Sequence, residues 1–514
     1  MAETKREIER KYEATGGTAV PDLSRVPGVS AVVDRGVMEL DAVYYDTPDL
    51  RLAADALTLR RRTGGDDEGW HLKFPVASGI RDEIRAPLAD TLPGELAGLL
   101  RSRVRGDEVV PVVRLRSARD VRHLVDRSGT LLAELSVDTV RAERLPGGTE
   151  ATWTEIEVEL ADGTDDTDEA GTALLDAIEK RLTKAGIHGS ASASKLARAL
   201  KETAPRAETT APEPGATPKP GTAGHAVLVY VREQADAIVA LDPAVRRDLP
   251  DAVHQLRVAC RRLRSALRTY RKVLDRDVTD PVGAELKWLA GELGVARDQE
   301  VLTERLRGRV DGLPRTLRLG PVRGRLRTWS AARARGGRRR ALAALDSARY
   351  LALLDTLDEL LADPPLRKSA ARDARTVLAR AVLKDHDRLA SRVDRALALD
   401  PGHDRDLALH AARKAAKRAR YAAEAAQPTL GKPARKFAKR VKSVQSLLGE
   451  HQDGVVAREA LRELGTQAHA AGESAFTWGL LHGREEVAAE AAEHDLPRVW
   501  ARASAPEIRA ALTR

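Results

Sequence analysis

Hydrophobic and polar positions change their rhythm once along this chain, near residue 203. Before that point, short runs alternate with a period of two: TKREIERKYE, MELDAVYYD, ALTLRRR, WHLKFP, IRDEIRAPL, VVRLRS, LLAELSVDTVRAE and WTEIEVEL. Gly, Pro and Asp clusters separate them, which predicts antiparallel strands. A single helical pattern follows at 168–186. From residue 224 onward the apolar period lengthens to that of a helix and stays there, in segments rich in Ala, Leu and Arg. Between the two regimes, residues 203–223 hold five prolines and no large apolar residue, so they read as an extended linker. The expected architecture is α+β and multidomain: a mostly antiparallel β domain over 1–202, the linker 203–223, and an all-α domain over 224–514.

The helical part repeats itself. His254-Gln-Leu-Arg257-Val-Ala-Cys-Arg261-Arg262-Leu-Arg264 matches His410-Ala-Ala-Arg413-Lys-Ala-Ala-Lys417-Arg418-Ala-Arg420 at an offset of 156. Leu293-Gly294 and Asp298 match Leu448-Gly449 and Asp453 at an offset of 155. Arg232 maps onto Arg388. A near-constant offset predicts duplicated units, at about 224–310 and 375–465, packed as a pseudo-symmetric pair of helical bundles.

Charge divides along the same boundary. Residues 1–200 carry 28 Lys and Arg against 36 Asp and Glu, while 201–514 carry 58 against 41, a net of +17. The basic half points to an anionic polymer as partner. Aromatic residues are 3% of the chain, leaving almost no platform for stacking bases, and no helix-turn-helix or zinc-finger pattern is present. A phosphate polymer without bases fits better than a specific nucleic acid. The single cysteine, Cys260, fits a reducing compartment, and no long uncharged apolar window or signal-peptide core is found. The expected location is cytoplasmic, away from the membrane.

The strand faces carry the candidate chemistry. Side chains alternate along a strand, so Glu7, Glu9 and Lys11 share one face, as do Arg60 with Arg62, His71 with Lys73, Arg114 with Arg116, and Glu155, Glu157 and Glu159. Arg81, Glu83 and Arg85 form another such row, as do Glu134, Ser136 and Asp138. A merely wetted strand face has no need to stack like charges two residues apart. Closing the sheet would turn them into a lumen, with carboxylates for hard divalent cations and Arg and Lys for phosphate oxygens. In the helical half, His254, Arg257, Arg261 and Arg264 trace one stripe, and His410, Arg413, Lys417 and Arg420 trace its copy, where a bundle ordinarily places an apolar seam. Asp298 and Asp453 are candidate partners for these cations, and a bound polyanion is the other answer. Lys439 lies in a further basic row with Arg435, Lys436, Arg440 and Lys442.

The motif Glu7-x-Glu9-x-Lys11, the ordered basic strands and the late Glu155-x-Glu157-x-Glu159 strand resemble the CYTH family of triphosphate tunnel metalloenzymes, over about residues 3–200 and ending at Ser194-Lys195. The resemblance implies an eight-stranded antiparallel tunnel and Mg²⁺ or Mn²⁺ held by Glu7, Glu9, Glu157 and Glu159. It also implies a triphosphate gripped by Lys11, Arg60, Arg62, Lys73, Arg114, Arg116 and Lys195, with Lys11 and Glu9 as the catalytic candidates. Glu155 stands beside this set as a further metal candidate. Arg85 departs from the family's pattern of a second acid after Glu83. The stretches 254–264 and 293–298 and their copies resemble the CHAD family, conserved-histidine α-helical domains, over about 224–514. That resemblance implies a basic cavity for inorganic polyphosphate, formed by the two stripes and Lys439. Three activities remain open at this point: hydrolysis of inorganic tripolyphosphate, polyphosphate binding with a silent tunnel, and cyclisation of ATP.

Overall fold

The computed structural model describes residues 3–14, 19–161, 163, 169–204, 218–334 and 336–513. They divide into two compact units, 1–212 and 213–514. Residues 205–217, most of the Pro-rich segment, lie outside the described residues.

The first unit is built on eight strands: β1 (Glu3–Ala14), β2 (Ala31–Asp46), β3 (Thr58–Thr63), β4 (Gly69–Ala77), β5 (Ile80–Ala86), β6 (Val110–Val125), β7 (Leu131–Arg144) and β8 (Glu150–Leu160). Their order is β5-β4-β3-β2-β6-β7-β8-β1, and β1 pairs again with β5, closing an antiparallel barrel. Four helices accompany it: α1 (Arg51–Ala54), α2 (Gly94–Val104), α3 (Glu169–Lys184) and α4 (Lys195–Glu202). Alternation sends the apolar side chains outward. Tyr12, Leu135, Ile156 and Val158 pack on Leu175, Ile178 and Leu182 of α3, while Leu59, Trp70, Leu72 and Ile84 pack on Leu96, Leu99 and Leu100 of α2. Each of these fully buried leucines contributes about 1.5–3 kcal/mol. The apolar core therefore lies outside the barrel wall, between sheet and helices.

β6 is longer than the alternating run that predicts it. The pattern VVRLRS ends at Ser117, yet the strand continues to Val125. Its charged extension survives because Arg119, Val121 and His123 line the barrel interior, while the outward Arg122 pairs with Asp120 at 2.7 Å.

The second unit is all helix: α5 (Ala223–Arg246), α6 (Ala252–Thr269), α7 (Arg276–Glu292), α8 (Gly294–Asp311), α9 (Val322–Ala334), α10 (Gly337–Leu345), α11 (Ala348–Ala362), α12 (Ala374–Leu397), α13 (His403–Leu430), α14 (Lys432–Ala470), α15 (Phe476–Ala503) and α16 (Pro506–Ala510). The repeat maps α5 onto α12, α6 onto α13, and α7 with α8 onto the single 39-residue α14. One continuous core runs through both repeats, with Leu256 and Leu263 of α6 and Ala412, Ala416 and Ala419 of α13 all buried in it. A second cluster joins α8, α9, α14 and α15 around Leu306, Trp329, Leu461 and Trp478. Among the described residues no helix is long and apolar enough to cross a membrane.

Candidate functional site

The barrel encloses a cavity of about 850 Å³ lined by Lys5, Glu7, Glu9, Lys11, Arg60, Arg62, Lys73, Arg119, Glu134, Glu157, Glu159 and Lys195, among others. The strand register builds it. Glu9 stands opposite Glu159 across β1 and β8, and Glu159 opposite Glu134 across β8 and β7, so three carboxylates form one cross-strand row. Like charges directly opposite one another destabilise a sheet unless a cation intervenes.

Cations answer these carboxylates throughout the lumen. Lys73 Nζ lies 2.6 Å from Glu7 and 3.4 Å from Glu83. Lys5 reaches Glu159 at 2.7 Å. Lys11 lies 3.1 Å from Glu9 and pairs with Glu157. Burial pushes the Glu7 carboxyl upward, and Glu83 and Glu159 add to that shift against the opposition of Lys73. For Glu9, burial and Glu157 also push upward, but Lys11, Lys73 and Arg81 together outweigh them and the net shift is downward. Burial alone would lower the Lys11 pKa, yet Glu157 and Glu9 raise it. Lys11 is therefore held as an ammonium, a donor rather than a base.

A second hub sits where Lys195, the first residue of α4, enters the lumen. Its Nζ lies 3.1 Å from Asp138, 2.7 Å from Glu155 and 2.6 Å from Glu157. Arg119 forks onto Asp138 at 2.8 and 2.7 Å and reaches Glu157 at 2.9 Å. Asp138, Glu155 and Glu157 bring carboxylate oxygens within 4.8 Å of one another, as a metal site requires. The Lys195 ammonium pairs with all three, so the trio is at once a socket for this lysine and a carboxylate set fit for a divalent ion. Glu157, a metal-ligand candidate from the sequence, is a member of this trio. Glu9, Glu159 and Glu134 form a second carboxylate row on the lumen wall, with Glu7 on the same strand face as Glu9. An all-oxygen set of this kind suits hard ions such as Mg²⁺ or Mn²⁺.

A third group surrounds Glu83, whose carboxylate accepts from His71 Nδ1 at 2.9 Å, pairs with Arg85 and lies 3.6 Å from Arg60. Burial, opposed by the Glu83 hydrogen bond, brings the His71 pKa down to about 4. Arg62 is 5% exposed, and burial beside Arg60 and Arg119 lowers its pKa to about 9. Tyr44, also buried, accepts from Arg60 at 3.5 Å.

Two expected phosphate ligands are not in the lumen. Arg114 and Arg116 lie on the opposite face of β6, their side chains 38% and 50% exposed, where both meet Asp41 of β2, Arg114 at 2.5 Å. A pair of like charges on one strand fixes their shared face but not which face that is. Arg119 stands on the inward face instead, with Tyr44 and Glu134 as further lumen residues. The alternation Arg119-x-Val121-x-His123 is the signal that would have found it.

In the helical unit, α6 and α13 lie against one another: Tyr270 donates to the Ala422 carbonyl at 2.9 Å, and Arg418 to the Arg268 carbonyl at 2.8 Å. Each repeat builds the same small module. Arg257 forks onto Asp298 at 2.9 and 3.2 Å, over Gly294, where an added Cβ would sit 2.9 Å from Arg257 Nη2. Arg413 lies 3.7 Å from Asp453, over Gly449, where an added Cβ would sit 3.5 Å from Arg413 Nη2. Among the described residues Arg261 meets no carboxylate, and its Nε has no acceptor. Burial, with Arg413 and Arg261 nearby, lowers the Lys417 pKa to about 8. Burial likewise lowers the pKa values of His254, His410 and Arg264. Arg420 is partly neutralised by Glu424 at 3.5 Å. Lys439 is exposed on α14, where it meets neither stripe among the described contacts.

Comparison with known proteins agrees with both units. The CYTH domain model matches residues 5–200 and the CHAD domain model residues 229–462. Two uncharacterized proteins from strains of Mycobacterium tuberculosis are 39% identical over 506 residues, covering 95% of this chain and 94% of each relative. Among solved structures, PptA from Streptomyces chartreusis is similar at 25% identity and a TM-score of 0.46, covering 54% of this chain and 99% of that one. The CHAD domain from the plant Ricinus communis is similar at 27% identity and a TM-score of 0.40, covering 59% and 97%. The chain belongs to the proteins in which a CYTH domain precedes a CHAD domain.

Proposed function

We propose that the barrel hydrolyses inorganic tripolyphosphate with the help of Mg²⁺ or Mn²⁺, and that the helical unit binds polyphosphate through its two basic stripes. The observation that carries this reading is the meeting of a carboxylate row with Arg60, Arg62, Lys73 and Arg119 inside one closed barrel. Few ligands other than an oligophosphate with its metal satisfy both signs at once.

Glu7, Glu9, Glu157 and Glu159 would hold the divalent ion, with Glu134 beside them on the lumen wall. When bound, it would neutralise phosphate charge and act as a Lewis acid. Arg60, Arg62, Lys73 and Arg119 would bind the phosphate oxygens and hold the chain in line for displacement. Lys11, kept cationic between Glu9 and Glu157, would donate to the attacking water or to the oxygen that gains charge. Lys195 is tied to three carboxylates, so its work would be to fix Glu157 and α4 against the lumen. In the helical unit, Arg261 and Lys417, which form no ion pair among the described residues, would supply the unmet charge that a polyanion satisfies.

The test is a substrate panel on the full chain with Mg²⁺ and with Mn²⁺: tripolyphosphate, thiamine triphosphate and ATP. Phosphate release from tripolyphosphate, abolished in a folded Glu9→Gln variant, supports the reading. Cyclic AMP from ATP, or polyphosphate binding with no turnover of any triphosphate, overturns it.

A further inference from the structure

The turn between β3 and β4, Gly64-Gly65-Asp66-Asp67-Glu68, sits at one rim of the barrel, since Arg62 pairs in the ladder with Gly69 at the start of β4. Its backbone is fixed. Gly64 has φ +82°, and a Cβ there would fall 2.3 Å from the Glu39 carbonyl oxygen, so only glycine fits. Glu68 accepts from the Gly64 N–H at 2.7 Å, and the Asp67 carbonyl lies 2.9 Å from His71 Nε2. This turn places Asp66 and Asp67 on the cavity wall.

Asp67 meets the cations that the lumen otherwise offers to phosphate. Its carboxylate pairs with Arg62 and lies 3.8 Å from Arg85 Nη2. Arg62 is buried, and its Nε has no acceptor among the described residues. The carboxylate thus stands where an anionic oxygen of a bound chain would stand, on a guanidinium with donor capacity still unused.

We infer that the acidic β3–β4 turn sets the length of phosphate chain the barrel accepts. A short chain displaces Asp67 from Arg62 and ends inside the lumen. A longer chain must carry further phosphates past Asp66 and Asp67, where like charges face each other at a partly desolvated rim. Selection of this kind works by repelling the wrong ligand rather than by gripping the right one more tightly. The inference rests on the triphosphate reading of the lumen and adds a residue-level basis for its choice among phosphates.

The experiment compares kcat/KM for tripolyphosphate and for long-chain polyphosphate in the full-length wild type and in Asp67→Asn. The helical unit is the same in both proteins, so its own polyphosphate binding cancels from the comparison. Removing one charge at this rim should raise the long-to-short ratio about tenfold. Asp66→Asn, at an exposed position, should move the ratio in the same direction by less, and it serves as the test if Asp67→Asn does not fold. Turnover of tripolyphosphate with an unchanged ratio in the folded variants overturns the inference alone. No turnover of tripolyphosphate by the wild type overturns the reading of the lumen, and the inference falls with it.

Discussion

Replacing Lys417 by Met should make the protein more stable and a poorer polyphosphate binder. In the folded chain, burial beside Arg413 and Arg261 brings this lysine from its ordinary 10.5 to about 8. One pH unit corresponds to about 1.4 kcal/mol, so the charged form is disfavoured by at most about 3 kcal/mol at neutral pH. Solvent access and side-chain relaxation reduce that to roughly 1–2 kcal/mol. The sign follows from proton binding. Between about pH 8 and 10.5 the unfolded chain holds this proton and the folded chain does not, so wild-type stability rises with pH in that window. Met fills a similar volume without the charge. The expected gain in Lys417→Met is therefore full at pH 7, declines above pH 8, and vanishes where the lysine is neutral in both states. Chemical denaturation at a series of pH values measures it directly, and in a melting experiment each kcal/mol should appear as about 2–4 °C. Titration with polyphosphate should show weaker binding in the same variant, and wild-type binding above pH 8 should take up protons. A Lys417→Met variant no more stable than the wild type at pH 7, or one whose advantage persists unchanged at pH 10.5, would refute the account of a strained cation held for a ligand.

Other outcomes follow from the same geometry. Arg119→Ala should lower kcat/KM for tripolyphosphate by about a hundredfold, the loss of a charge-assisted contact pair, whereas Arg116→Ala on the outer face should stay within about threefold, both read by phosphate release. Lys195→Met should destabilise the barrel by about 3–5 kcal/mol at pH 7.5, because Asp138, Glu155 and Glu157 lose their ammonium; denaturation at pH 5 should recover part of this as the carboxylates take up protons. Arg257→Ala combined with Arg413→Ala should weaken polyphosphate binding and flatten its salt dependence, measured by titration at several ionic strengths. Gly294→Ala, which crowds the Arg257 guanidinium, should weaken binding in the same assay while leaving tripolyphosphate hydrolysis unchanged.

Much of the barrel was legible because strand alternation is rigid. Once Glu7 is on a face, Glu9 and Lys11 must share it, and the structure lines the cavity with all three. The same rule cannot say whether a face points in or out, so the expectation that Arg114 and Arg116 line the lumen fails and they lie beside Asp41 instead. The Lys195 socket joins residues from β7, β8 and α4. Its carboxylates stand in visible rows, but only the closed register shows that Lys195 reaches all three of them. In the helical unit the repeat itself was readable, as were the conserved spacings to Asp298 and Asp453. The role of Gly294 and Gly449 was not, because a missing side chain announces nothing about the guanidinium it admits.

The barrel's apolar packing lies on its outer wall, under α2 and α3, while its ionic groups line the inside. Stability and chemistry are thereby assigned to opposite surfaces of the same eight strands. An evolving sequence is free to exchange one lumen side chain for another without opening a void among the leucines. Such a scaffold tolerates divergence of substrate far more readily than one whose reactive groups are cut from its own hydrophobic interior.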